Sequence, residues 1–257
     1  MRTYISKSFS VAVLLIAGLV FIGPVVVILM LSFNFEGQFP TLGQFYELLV
    51  TNNTALSYFW NSLGYALVIT VACLVLSFPL GFVFAKVKFL GRDFIFFIYI
   101  IAMMLPFQAT LLPNYIMLRD FGLLNRPIAL ILPLVFSPYA VFLFRQFIKS
   151  IPQELLEYAT LETSSTFHIL RLVVFPHVKT AAAALSVLIF SESWNMVEPV
   201  LIFTARNTDI HPLSVRLGAL PTDVAFSAAA VYMYPILLLF MLFKETLASS
   251  MERFRWD

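Results

Sequence analysis

The sequence predicts an all-helical protein that crosses a membrane several times. Hydrophobic residues make up 61% of its 257 residues and charged residues only 12%, whereas soluble domains carry about 25% charged residues. The mean hydropathy of +0.92 describes the whole chain, so one buried helix cannot account for it. Composition therefore excludes a soluble secreted enzyme and a disordered chain. A net charge of only +2 also argues against binding to nucleic acid.

Six apolar stretches have about the length that a helix needs to cross the hydrocarbon core, which is roughly 20 residues. They are 9–33, 59–85, 94–113, 127–144, 180–204 and 224–243. Two basic residues, Arg2 and Lys7, precede the first stretch, as in the N-terminal part of a signal peptide. Its apolar part is too long for one, however, and no small-residue cleavage site follows, so we interpret it as a retained span. The polar segment 51–54 is predicted to be a loop. One six-span transmembrane domain over residues 1–257 results.

The distribution of lysine and arginine predicts the orientation of these spans. Twelve of the sixteen bases lie at the two termini and in the second–third and fourth–fifth loops, and four lie in the remaining loops. Because basic loops stay on the cytoplasmic side, both termini are predicted to be cytoplasmic. The spans are expected to contact membrane lipid, and the resemblance described below implies the cytoplasmic membrane of a bacterium or archaeon.

The long fourth–fifth loop, residues 149–179, has the pattern of two short helices. Ser150 and Pro152 resemble a helix start, and acids follow in the first turns, where a helix dipole favours them. Ser165 or Thr166 is placed to cap a second apolar segment, which Pro176 is predicted to end. A solvated connector is the alternative, but it would not need capped, amphipathic order.

Two acids, Glu192 and Glu198, interrupt the fifth predicted span. An ionised group inside a bilayer is costly and usually faces a cavity. Spacing of three residues predicts that both acids share a helical face with Asn195, with Trp194 beside them. This stripe would suit sugar recognition, although a network between helices or an acid reaching the outer interface would also explain it. Near the third span, Gln108, Thr110 and Asn114 form a weaker candidate lining.

Other chemistry finds little support in the sequence. His168, His177 and His211 are scattered without ligand spacing, so no metal site is expected. No phosphate-binding GxxxxGK[ST] pattern occurs, and no catalytic residues are predicted. This chain is therefore expected to hold no cofactor, and any ATP and Mg²⁺ that its activity needs are expected to bind elsewhere than on this chain.

Several short segments together form a recognisable pattern. They are Glu157-Tyr158-Ala159, Glu162-Thr163 and Phe175-Pro176 in the fourth–fifth loop, the stretch Arg145 to Glu154, Gly122-Leu-Leu-Asn125 leading to Ala129–Pro133, Asn61-Ser62, and Trp194-Asn195. With these segments, the loop resembles the EAA loop of permease subunits in ABC importers. The resemblance extends over nearly the whole chain, which is similar to the smaller six-span permease of maltose-type sugar importers.

The resemblance implies a type I ABC importer permease fold whose loop forms coupling helices that dock on a cytoplasmic ATPase. The implied coupling residues are Glu154, Glu157, Ala159, Glu162, Thr163, Phe175 and Pro176. The implied partners are a second homologous permease (distinct or identical), two ATPase subunits and an extracytoplasmic solute-binding protein. A sugar or oligosaccharide is the implied substrate. The acids in the fifth span leave a cationic solute such as a polyamine as the alternative, and a membrane enzyme or a scaffold as further classes.

Thr163 departs from the family pattern, because the family has a glycine at this position. Glycine serves where φ is positive or backbones approach closely, and threonine is stiff at χ1. We therefore predict that the turn has been rebuilt and that Thr163 has a negative φ.

Overall fold

The computed structural model describes residues 2–51 and 53–253, and side chains within 13–14, 16–51 and 54–244. This part of the chain is helical and contains no β-strand beyond one isolated bridge between Phe35 and Gln38. Its α-helices are α1 (Arg2–Ser32), α2 (Gly43–Tyr46), α3 (Asn53–Lys86), α4 (Arg92–Met104), α5 (Phe107–Asp120), α6 (Pro127–Val135), α7 (Pro138–Lys149), α8 (Gln153–Glu162), α9 (Thr166–Ile169), α10 (Phe175–Trp194), α11 (Glu198–Phe203), α12 (Leu213–Arg216) and α13 (Thr222–Arg253). The all-helical class is as predicted.

Four helical stretches in the described residues are long and apolar enough to cross a membrane. They are Thr54–Lys86, Pro127–Lys149, Thr166–Trp194 and Thr222–Lys244, and a fifth arises if α4 and α5 count as one broken span. Within α1, the apolar segment Ile16–Ser32 is shorter. A π-helical turn covers Glu47–Thr51 and helix α3 begins at Asn53, so the prediction of a loop over 51–54 was wrong at both of its ends.

The third predicted span is not one straight helix, because α4 and α5 meet at an angle of 101°. Leu105 is extended, with φ −65° and ψ 130°. The next residue is Pro106, which disfavours helical backbone in the residue before it and supplies no N–H. The proline therefore turns the chain here, and α5 continues to Asp120, beyond the predicted end at residue 113.

The fifth predicted span begins earlier and breaks sooner than expected. Helix α9 runs through a π-helical turn, Leu170–Val174, directly into α10. Pro176 therefore does not end the second loop helix, because the wider turn before it accommodates the ring and the missing N–H. Helix α10 ends at Trp194 instead, and α11 starts at Glu198 after a break at residues 195–197.

The chain divides into two compact units. The first contains Met1–Phe59 and Arg216–Pro235. Its buried core includes Leu48, Ala55, Val224 and Ala228. The buried side chain of Gln44 donates to the carbonyls of Leu31 and Asn34 and accepts from the Ser227 amide at 3.2 Å. The side-chain amide of Gln44 therefore satisfies backbone carbonyls where α1 ends.

The second unit contains Trp60–Val215 and Ile236–Asp257. Trp194, Phe144 and Phe203 are among its largest fully buried side chains. Helices α3 and α7 approach closely at Gly81, where a Cβ would lie 2.6 Å from Cβ of Phe144 and 3.1 Å from the Arg145 amide nitrogen. The absence of a side chain at Gly81 is thus what allows these two helices to pack.

Candidate functional site

Helix α8 projects from the end of α7 as the first element of the predicted coupling loop. Pro152 occupies its N-cap position with φ −55° and ψ 139°. Ser150 or a nearby residue was predicted to cap this helix, and the cap position is taken by Pro152 rather than by Ser150. Ser150 ends α7, and its hydroxyl donates to the Phe147 carbonyl at 2.8 Å. The Lys86 ammonium donates to the Ile151 carbonyl, so the end of α3 anchors the entrance to α8.

The two faces of α8 differ in character. Leu156 and Ala159 are buried against the core of the second unit. The opposite face exposes the predicted acids Glu154, Glu157 and Glu162 together with two large apolar side chains, Tyr158 and Leu161. Leu161 is 83% exposed. Ala159 therefore allows α8 to approach its own core, whereas Tyr158 and Leu161 form the apolar part of the outward surface.

The turn between α8 and α9 uses ordinary backbone geometry. Thr163 has φ −147° and ψ 140°, which confirms the predicted negative φ. Its hydroxyl accepts from the Ser165 amide at 3.2 Å. Ser165 in turn caps α9 by accepting from the His168 amide, as predicted. Threonine is thus accommodated without the left-handed conformation that would require glycine.

Phe175 and Pro176 lie inside the continuous helical stretch, where the resemblance had placed a return to the fifth span. Both are exposed. The Phe175 ring meets the Phe78 ring edge-on, with centroids 5.8 Å apart. These two residues form the N-terminal start of α10. The outward apolar side chains of α8 are more exposed to solvent than Phe175 is.

A polar cavity of about 320 Å³ lies where the fifth span breaks. Glu192 comes from the last turn of α10, Asn195 follows that helix, Glu198 begins α11, and Gln108 comes from the first turn of α5. All four side chains are exposed to it. The remaining lining residues are Phe107, Leu134, Met196, Val197 and Pro199.

The prediction of one continuous helical stripe was wrong, although its three polar members do meet. Pro199 explains the difference, because in a continuous helix its ring would clash with the carbonyl of Asn195 and it would donate no bond to that carbonyl. After the break, helical backbone resumes only at Glu198, where α11 begins. The acids therefore face one cavity from two helices.

The carboxylate of Glu198 accepts from the side-chain amide of Gln108, with distances of 3.3 and 3.4 Å to its two oxygens. Glu198 also lies in the first turn of α11, where the helix dipole favours an anion. In the described part of the chain, no lysine or arginine lines this cavity. Its two acids thus make it a locally negative, hydrogen-bonding concavity.

Three predicted lining residues do not reach the cavity, and one of them, Thr110, donates instead to the Phe107 carbonyl of its own helix at 2.7 Å. Trp194 is fully buried and stacks on Phe190, with centroids 5.7 Å apart, because its position on α10 faces the core. Asn114 lies six residues along α5 from Gln108 and does not line the cavity. Sequence reasoning missed Met196 and Val197, whose place in the break is signalled only by Pro199.

Long apolar helices, a short helix with an exposed amphipathic surface and a polar cavity at a broken span are features of a membrane transport subunit. The chain belongs to the family described as the binding-protein-dependent transport system inner membrane component, whose model matches residues 77–253. Members of this family are permease subunits of ABC transporters, work with other ABC components and are not themselves enzymes. The chain is therefore an inner-membrane permease subunit.

Two relatives of this chain are named as permease proteins of transport systems. The arabinooligosaccharides transport system permease protein AraQ of Halalkalibacterium halodurans is 29% identical over 218 residues, covering 82% of this chain and 77% of that protein. The sn-glycerol-3-phosphate transport system permease protein UgpE of Brucella abortus is 31% identical over 193 residues, covering 72% and 68%.

A solved structure shares the fold. One chain of a bacterial ABC transporter involved in the import of the acidic polysaccharide alginate superposes with a TM-score of 0.83. The alignment covers 95% of this chain and 98% of that chain at 19% identity. The type I ABC importer permease fold expected from the sequence is thereby established.

Proposed function

We propose that this chain forms half of the translocation path of an ATP-driven importer for a sugar or oligosaccharide. A second permease, two ATPase subunits and an extracytoplasmic solute-binding protein complete the complex, and ATP with Mg²⁺ binds on the ATPases. The observation that carries this proposal is the polar cavity at the broken fifth span, in a chain whose relatives include an arabinooligosaccharide permease.

The cavity supports the path by its chemistry. Carboxylates and amides bind sugar hydroxyls, and Glu192, Asn195, Glu198 and Gln108 present both kinds of group around one space. The ring of Phe107 adds an apolar face. Acids inside a membrane protein are costly unless they face such a cavity, so their retention here fits a role in passage of a polar solute.

The outward surface of α8 supports the coupling role. Tyr158 and Leu161 are exposed next to Glu154, Glu157 and Glu162. An apolar centre with a charged rim is the usual composition of a protein-binding surface. This surface would fit a groove on the ATPase, so that closure of the ATPase pair would move α8 and the spans attached to it.

The proposed topology has six spans and cytoplasmic termini. It requires α1 and the bent α4–α5 pair each to cross the bilayer, and it follows the asymmetry in basic residues. Single cysteines placed at Gln38, Leu90 and Tyr158 in a Cys73→Ser background test it in intact cells. Only the Gln38 variant should react with a membrane-impermeant maleimide, and labelling of the other two would overturn the topology.

Reconstitution tests the function directly. The purified complex in vesicles should import a neutral oligosaccharide in an ATP-dependent manner, and Glu192→Gln should reduce uptake. A cationic solute such as a polyamine is the second candidate, because two acids and no base line the cavity. If the polyamine alone is imported, that alternative replaces the sugar. Assembly with the ATPase without import of any solute would identify a scaffold.

A further inference from the structure

The break in the fifth span leaves backbone groups that an unbroken helix would satisfy internally. Such groups need other partners in a membrane protein, and serine side chains often supply them. Here the Ser214 hydroxyl donates to the Met196 carbonyl at 2.6 Å, over 18 residues of sequence. Met196 lies in the break and lines the polar cavity. Ser214 thus supports the backbone two residues before Glu198.

The same segment also contacts the other end of α11. His211 is 95% buried, and its Nε2 lies 3.1 Å from the carbonyl of Thr204, the C-cap of α11. Because a carbonyl only accepts, Nε2 carries the proton and donates. We call residues 208–214 the bracket segment, since Ser214 contacts the break before α11 and His211 contacts the C-cap after it.

The bracket segment is fixed to one turn of α3 by three side chains. The amide of Asn61 donates to the carbonyls of Asp209 and His211, at 2.9 and 3.1 Å. The hydroxyl of Tyr65 donates to the Ile210 carbonyl, and the buried hydroxyl of Ser62 accepts from the Leu213 amide. The segment is therefore held against a long helix rather than left as a mobile loop.

The two ends of α11 differ in their support. At the C-terminal end, the backbone N–H of Asn125 donates to the Phe203 carbonyl at 2.9 Å, in addition to the contact from His211. Asn125 also accepts from the Arg206 amide through its side chain. At the N-terminal end, where Glu198 faces the cavity, Ser214 contacts the Met196 carbonyl and Gln108 contacts the exposed Glu198 carboxylate, so of these two side chains only Ser214 supports the backbone there. Loss of Ser214 should therefore release the end of α11 that carries the acid.

We propose that Ser214 is a positioning residue that holds the break open, so that Asn195 and Glu198 face the cavity. The inference uses the proposed function only in taking that cavity as the solute path. Ser214 does not line the cavity itself. Its effect passes through the Met196 carbonyl, and the bracket segment transmits the position of α3 to the cavity wall.

Chemical labelling tests the positioning without relying on transport. Val197 lines the cavity, and Val197→Cys in a Cys73→Ser background of the assembled complex provides a reactive group there. Ser214→Ala should change the rate of its reaction with a charged methanethiosulfonate by roughly fivefold, the shift expected from one lost hydrogen bond. Ser214→Thr keeps the hydroxyl and should restore the rate.

Ser186→Ala is the matched control, because that serine on α10 donates only locally, to the Ala183 carbonyl. Its labelling rate should equal the parent rate. If Ser214→Ala does not accumulate, Asn61→Ala loosens the same segment from α3 and should change the rate in the same direction. An unchanged rate in both variants would overturn the proposal. Changed labelling with normal solute uptake would keep the positioning role and instead refute the cavity as the path.

Discussion

Gln108 and Glu198 are 90 residues apart, yet the amide nitrogen of Gln108 lies 3.3 and 3.4 Å from the two carboxylate oxygens of Glu198. Each residue stands in the first turn of a helix that follows an interruption, α5 after the bend at Pro106 and α11 after the break at residues 195–197. Two interrupted spans thus contribute their helix N-termini to the same cavity. The hydrogen bond joins them there.

The charge at this contact should matter more for transport than for stability. Gln108→Glu would place a second carboxylate beside Glu198, and we expect uptake to fall by roughly threefold or more while the protein accumulates normally, since exposed charge pairs contribute at most about 1 kcal/mol. The double variant Gln108→Glu with Glu198→Gln reverses the pair and should recover part of the uptake. Gln38→Glu, in an exposed loop, is the control. Equal uptake by Gln108→Glu and the control would refute a role for this contact.

Gly81 should not tolerate a methyl group. A Cβ there would lie 2.6 Å from Cβ of Phe144, on α7, so Gly81→Ala should lower the free energy of unfolding by about 1–3 kcal/mol. The melting temperature of the purified complex measures this. Gly64→Ala on the same helix meets nothing within 4 Å and should be neutral or stabilising by up to about 1 kcal/mol. The packing argument fails if both variants melt alike.

Restoring the family glycine at Thr163 should not help this protein. The residue is extended at φ −147°, so glycine removes the hydrogen bond from the Ser165 amide and adds backbone freedom, at a cost of about 0.5–1 kcal/mol. Hydrogen exchange over residues 163–168 should become faster in Thr163→Gly. Thr163→Ser keeps the hydroxyl and should exchange like the parent. Slower exchange in the glycine variant would show that threonine is strained here.

The apolar part of the α8 surface should carry ATPase binding. Leu161 is 83% exposed, and truncation of an apolar anchor at an interface commonly costs more than about 1 kcal/mol. Leu161→Ala should therefore lower solute-stimulated ATP hydrolysis at limiting ATPase, with recovery when ATPase is in excess. Leu90→Ala truncates a fully exposed leucine in the α3–α4 loop and serves as the control. If the two variants hydrolyse ATP alike, α8 does not dock through Leu161.

Features that depend on neighbouring residues were largely predictable. The cap at Ser165 and the ordinary backbone of Thr163 follow from side chains within three residues of each other. The residues Glu192, Asn195 and Glu198 were correctly expected to share a polar surface. The reason given, one helical face, was wrong, because local spacing describes a continuous helix and the break near Pro199 divides it.

The sequence by itself determined the helical class, the membrane location and the family, because hydropathy and short motifs are properties of consecutive residues. Only the tertiary structure decided that Trp194 faces the core, that Gln108 meets Glu198, and that Ser214 supports the break beside the cavity. These relationships join residues 18 to 90 positions apart or depend on which side of a helix is covered. They follow from packing between helices, which periodicity along one helix does not specify.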